Sequence, residues 1–138
     1  MRNTSNATTG NRTTLRPVDF DGDGDLDLLS ASDILDELAW WENDGAQNFT
    51  RHPLTASFNR PLDLMAASLD NDNDLDLVAA GPALAWYEET AAGDFLRHLF
   101  VGESAAVIDM VDLDGDGDLD IVNGGDSRIY WWENPKLP

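Results

Sequence analysis

The chain has 138 residues, 42% of them hydrophobic, which suits one domain with a real core, and it has no cysteine to cross-link that core. It carries 27 acidic residues against 8 basic ones, for a formal net charge of −19. Such a surface repels nucleic acid and anionic lipid, and no stretch nears the roughly 18 apolar residues of a membrane span, so neither nucleic-acid binding nor membrane insertion is expected.

Residues 1–16 are rich in Thr and Asn and lack the apolar run of a secretion signal. Glycosylation sequons occur there at Asn3, Asn6 and Asn11, with a fourth at Asn48. The competing reading is a flexible or strand-forming segment whose composition makes sequons by chance. Arg12-Thr13-Thr14-Leu15 reads as a strand able to close the last repeat or to be donated to another chain.

The first of three repeats spans 17–61 and opens on Asp19-Phe20-Asp21-Gly22-Asp23-Gly24-Asp25-Leu26-Asp27. The second, 62–106, repeats the loop as Ser68-Leu69-Asp70-Asn71-Asp72-Asn73-Asp74-Leu75-Asp76. The third, 107–138, repeats it as Asp112-Leu113-Asp114-Gly115-Asp116-Gly117-Asp118-Leu119-Asp120. An aromatic run follows each loop: Trp40-Trp41-Glu42-Asn43, Trp86-Tyr87-Glu88-Glu89 and Trp131-Trp132-Glu133-Asn134. Phe49-Thr50-Arg51-His52 returns as Phe95-Leu96-Arg97-His98. A period of about 45 residues means stacked supersecondary units.

In the middle unit, 64–69 leads into the loop and 75–80 leaves it. Gly81-Pro82 turns the chain into 83–89, and a turn at 92–94 precedes 95–100. The predicted fold is therefore all-β, with three four-stranded propeller-type blades in place of the shorter coils of a β-solenoid. Only 135–138 follow the third aromatic run, so blade 3 lacks its last strand. Three blades are also fewer than the roughly four that close a ring. Completion by self-assembly is expected, as a homo-oligomeric closed ring or a filament.

Alternating carboxylates around a glycine repel one another unless a cation neutralises them, and hard oxygen donors favour Ca²⁺. On an EF-hand-like scheme the first loop offers Asp19, Asp21, Asp23, the Asp25 carbonyl and Asp27. The third offers Asp112, Asp114, Asp116, the Asp118 carbonyl and Asp120. Gly24 and Gly117 stand where positive φ is needed. The middle loop offers Ser68, Asp70, Asp72, Asp74 and Asp76. Its neutral hydroxyl at the first position predicts a weaker site beside two strong ones. A metal-free Asp/Gly hairpin is the competing reading for all three.

The D-x-D-x-D-G-x-x-D loop followed by a W-W-E-N strand resembles the FG-GAP or VCBS repeats of integrin α-type β-propellers, from residue 17 onward. That resemblance implies calcium loops that are structural, between the first two strands of each blade. It also implies relatives among adhesion receptors and cell-surface or secreted proteins, hence an extracellular setting.

His52 and His98 are the only histidines, and both follow an arginine at the same repeat position, so both read as architectural. No nucleophile-elbow, P-loop or zinc pattern appears, and no catalytic residue is expected. In each aromatic doublet (Trp40 and Trp41, Trp86 and Tyr87, Trp131 and Trp132) adjacent side chains point to opposite faces. One is expected between blades; the other sits nearer the rim, where a sugar could stack. The expected function is a non-catalytic, calcium-stabilised structural or adhesive module, with a glycan- or protein-binding domain as the alternative.

Overall fold

The computed structural model describes residues 13–55, 58–70, 72, 74–90, 94–100, 104–125 and 127–134. The three N-terminal sequons, Asn71 and Asn73 lie outside them. Eleven strands run in chain order among the described residues: β1 (Thr13–Val18), β2 (Asp27–Ser32), β3 (Glu37–Asn43), β4 (Phe49–Thr55), β5 (Asp63–Ala67), β6 (Asp76–Ala80), β7 (Leu84–Glu89), β8 (Phe95–Phe100), β9 (Val107–Val111), β10 (Asp120–Gly125) and β11 (Arg128–Trp132). They form three antiparallel sheets, β1-β2-β3-β4, β5-β6-β7-β8 and β9-β10-β11, with no helix among the described residues.

Thr13–Arg16 does not precede the first unit's opening strand: it belongs to β1, which pairs with β2 from Thr13↔Ser32 to Val18↔Asp27. That stretch is therefore committed to unit 1 and is not a spare closing strand. The cause is alternation. Thr14, Arg16 and Val18 face unit 2, and Val18 joins its apolar cluster.

The core lies between the sheets. Leu29, Ala31 and Leu38 of unit 1 pack on Leu64, Leu77, Ala79, Ala85 and Tyr87 of unit 2, with Phe58 wedged beneath. Val78, Ala80, Leu84 and Trp86 then meet Ile108 and Ile121 of unit 3, with Ala105 in the same cluster. The strands β6 and β7 thus use both faces, which explains why β6 is buried throughout. Each buried Leu contributes on the order of 2 kcal/mol relative to exposure.

Opening strands also meet: β1 and β2 contact β5, and β5 and β6 contact β9. Asp63, buried on β5, joins all three units. Its carboxylate accepts from Arg16 Nε and Nη2, the latter at 2.8 Å, and from the Ile108 N–H at 3.2 Å. Burial of this carboxylate is tolerated because it is paired and hydrogen-bonded. The Asp63 contact in turn holds the Arg16 guanidinium above its usual range, with Asp109 adding a smaller share.

The doublets split between faces as expected, but the rim assignment does not hold in unit 2. Trp86 faces unit 3 and Tyr87 faces unit 1, and both are buried. Trp40 joins the first interface and Trp132 the second. Trp41 donates its indole N–H to Ser30 Oγ at 2.9 Å, as Trp132 donates to Asn123 Oδ1 at 2.8 Å. Only Trp131 of the six is half exposed, at 48%.

Candidate metal centre

All three acidic loops share a ladder in which each carboxylate accepts the amide two residues on. Asp21 accepts from Asp23 and Asp23 from Asp25 in the first loop. Asp70 accepts from Asp72 and Asp72 from Asp74 in the second; Asp114 accepts from Asp116 and Asp116 from Asp118 in the third. Such turns curl the chain so that alternate side chains point inward. In the outer loops the first aspartate closes the curl. Asp19 Oδ2 takes the Gly24 N–H at 3.1 Å, and Asp112 Oδ2 takes the Gly117 N–H at 3.2 Å. Both glycines have the positive φ anticipated from sequence, +96° and +99°.

The curl brings carboxylate oxygens of Asp19, Asp21 and Asp27 within 4.8 Å of one another, and likewise those of Asp112, Asp114 and Asp116. No comparable group of three forms in the middle loop among the described residues. The two convergent sets differ from the five-position scheme. Asp23 lies outside the first set and Asp120 outside the third. Asp25 turns its carboxylate toward Gly45, where an added Cβ would meet Oδ2 at 2.5 Å, leaving its carbonyl for the loop. Its counterpart Asp118 is buried.

The last aspartate of each loop has a second role that the sequence did not reveal. Asp27 is fully buried and accepts the Phe20 and Asn43 amides. Asp76 accepts those of Leu69 and Glu89, and Asp120 those of Leu113 and Asn134. Each clasps the loop's start to the last residue of the unit's aromatic run. The period-spaced aspartate was visible; its amide partners 13 to 16 residues away were not.

Electrostatics set the loops apart. Asp21 is opposed by the Asp23 amide, which favours its charge, yet burial and the charges of Asp23, Asp27 and Glu42 push its carboxyl upward. Burial pushes up Asp70 and Asp76 in the middle loop. Asp120, by contrast, is held low, chiefly by the Asn134 N–H. Glu89 replaces the Asn of the other two runs. Burial raises its carboxyl, and the charges of Asp74, Asp76 and Asp72 raise it further. Glu89 therefore adds an acid to the flank of the middle loop, a feature signalled only by that one departure from W-W-E-N.

The two outer loops fit a hard divalent cation. In the first, Asp19 Oδ1 is shielded from solvent and has no hydrogen-bond partner, beside two further carboxylates. An ionised oxygen in that position is costly unless a cation meets it. Asp19, Asp21 and Asp27 would hold one Ca²⁺, and Asp112, Asp114 and Asp116 another.

The two histidines make matching contacts in units 1 and 2. His52 stacks on Trp40 at 4.5 Å and bonds Glu42 at 2.7 Å; His98 stacks on Trp86 at 4.5 Å and bonds Glu88 at 2.8 Å. Asn48, the one sequon described, is exposed in the turn before β4, where its amide donates to Asp44 at 2.8 Å.

Comparison with known families supports the reading of the repeat. The profile of the FG-GAP-like repeat matches residues 19–79, from the first aspartate of loop 1 into β6. Among curated proteins, none matches the chain. No helix among the described residues is long and apolar enough to cross a membrane.

Proposed function

We propose that this chain is a calcium-stabilised, non-catalytic β-propeller module that acts outside the cell in adhesion or assembly, with copies joining into a closed ring or a filament. The single observation that carries the calcium reading is the shielded, unpartnered Asp19 Oδ1 among converging carboxylates. The FG-GAP-like repeat over 19–79 supports a structural or binding role for such loops. Sheets that stack face to face with opening strands adjacent support the propeller arrangement.

Self-association is supported by the outer face of unit 3. There Ile129 is 82% exposed beside Trp131, on the face that packs against a following unit in units 1 and 2. Exposed apolar side chains grouped on one face favour association. Light scattering after size exclusion tests the reading: multimers in calcium that dissociate on chelation are expected. A well-folded, calcium-independent monomer would contradict it.

Trp131 favours one second reading, in which the same face stacks a sugar or a protein side chain. Glycan-array binding abolished by Trp131→Ala, with the melting temperature kept, would favour that reading over self-association.

A further inference from the structure

The sequon Asn48-Phe49-Thr50 is divided between a turn and a strand. Asn48 closes the turn from β3 to β4, and Phe49 and Thr50 open β4 opposite Asn43 and Glu42. Asn48 and Thr50 are both exposed. The turn nevertheless engages Asn48 through three of its polar groups. Its N–H donates to Asp44 Oδ1 at 3.1 Å and its Nδ2 to Asp44 Oδ2 at 2.8 Å, while its carbonyl accepts the Asp44 N–H at 3.2 Å. In unit 2 the matching residues are Thr90 and Asp94, whose backbone bond recurs at 2.8 Å. That pair has no amide to offer a carboxylate, so the Asp44–Asn48 side-chain clasp belongs to unit 1.

The same turn leans on the first acidic loop. Asn43 donates its N–H to Asp27 Oδ1 at 2.8 Å and its Nδ2 to the Leu26 carbonyl at 3.1 Å. Gly45, at φ +74°, abuts Asp25 so closely that an added Cβ would meet Oδ2 at 2.5 Å. Asp27 belongs to both structures, as one of the three carboxylates that would hold Ca²⁺ and as the acceptor of the Asn43 amide. An ion that fixes Asp27 therefore also fixes the start of the turn. Loop and hairpin close together.

We propose that Asn48 is an acceptor of N-linked glycan that calcium in the first loop closes. In the transfer, Nδ2 bonds the anomeric carbon of an oligosaccharide carried on a lipid diphosphate. The bond from that carbon to the phosphate oxygen breaks, the lipid diphosphate leaves with its electron pair, and Nδ2 gives one proton to a base of the transferase. The amide lone pair is delocalised into the carbonyl, so the transferase must grip and twist the amide while holding the hydroxyl two residues on. The closed hairpin offers neither: Nδ2 donates to Asp44, and Thr50 is fixed in β4 opposite Glu42. Transfer belongs to the open hairpin, and the ion sets how long it stays open. This rests on the calcium-stabilised, extracellular reading, both for the ion and for contact with a glycosylating machinery.

The test gives the full-length chain to an oligosaccharyltransferase with its lipid-linked donor, and mass spectrometry follows occupancy of Asn48 with time. One arm holds calcium about 100-fold above its dissociation constant; the other holds a calcium-selective chelator, with magnesium left for the enzyme. Opening that must release the ion is suppressed on the order of 100-fold, so transfer should be slower in calcium by about that factor. A synthetic peptide of residues 44–52, which has no metal loop, should be modified at the same rate in both arms. In calcium, Asp19→Ala should restore transfer, whereas Asp116→Ala in the third loop should not. An unmodified peptide, equal rates for the chain in both arms, or equal release by the two substitutions overturns the proposal. Calorimetric calcium titration reports separately on the metal loops. A chain that binds the ion and is still modified equally in both arms loses the glycan gate and keeps the metal reading.

Discussion

The outer and middle acidic loops are written on the same nine-residue frame, yet among the described residues only the outer two bring three carboxylates within 4.8 Å. The difference begins at the first position. Asp19 and Asp112 each use one oxygen to cap the glycine amide five residues on, and their second oxygen remains for another task. Asp19 Oδ1 is left without a partner, whereas Asp112 Oδ1 accepts the Gly115 amide at 2.7 Å. Ser68 has a single neutral oxygen and cannot do both. The middle unit instead places Glu89 on the loop's flank, so acid is moved there, not simply removed. A repeat can therefore keep its fold while changing the charge and reach of its metal loop.

The comparison can be broken most forcefully by removing calcium. At concentrations 100-fold above the dissociation constant, each site bound only by the folded chain adds about 2.7 kcal/mol. Two strong sites imply a loss near 5 kcal/mol on chelation, or roughly 15 to 20 °C in melting temperature. A shift below a few degrees would mean that the outer loops do not depend on metal.

Next in size are single-loop changes. Asp19→Ala or Asp116→Ala should each forfeit about half of the chelation effect, and the loss should vanish once chelator is present. Arg16→Met provides the contrast outside the loops. It strands the buried Asp63 carboxylate and should cost about 2 kcal/mol with or without calcium. A calcium-dependent penalty for Arg16→Met would show that the Asp63 junction and the loops are not separate.

A smaller effect of opposite sign is expected at Glu89. Its carboxyl sits above the ordinary 4.5, so the fold favours its protonated form. That support is complete below pH 4.5 and is lost as pH rises through the raised value. In chelator at pH 7, Glu89→Gln should therefore raise the melting temperature, and the gap should close below pH 4.5. The smallest effect belongs to Ser68→Ala, within about 0.5 kcal/mol. Equal losses from Ser68→Ala and Asp116→Ala would erase the distinction between the loops.

Repetition made much of this fold legible. The three loops, the aromatic runs and the Arg-His strands recur at a nearly constant spacing, and recurrence exposes anything each unit must do. Residues that act once leave no such trace. Arg16 and Asp63 form the junction of three units, yet their counterparts, Met65 and Asp109 for one, Thr14 and Val107 for the other, share neither charge nor role. The start of β1 was misplaced because a Thr-rich lead-in hid its alternation behind composition. The double duty of Asp27, Asp76 and Asp120 was concealed differently. The same carboxylate that spacing marks as a ligand is also a clasp for amides brought near only by sheet pairing.

The most direct test of the central claim is a calorimetric calcium titration of the metal-free chain. Two tight equivalents followed by a weaker third are expected, with one tight equivalent lost in Asp19→Ala and the other in Asp116→Ala. A chain that takes up no calcium at millimolar concentration, and stays folded throughout, would contradict the account.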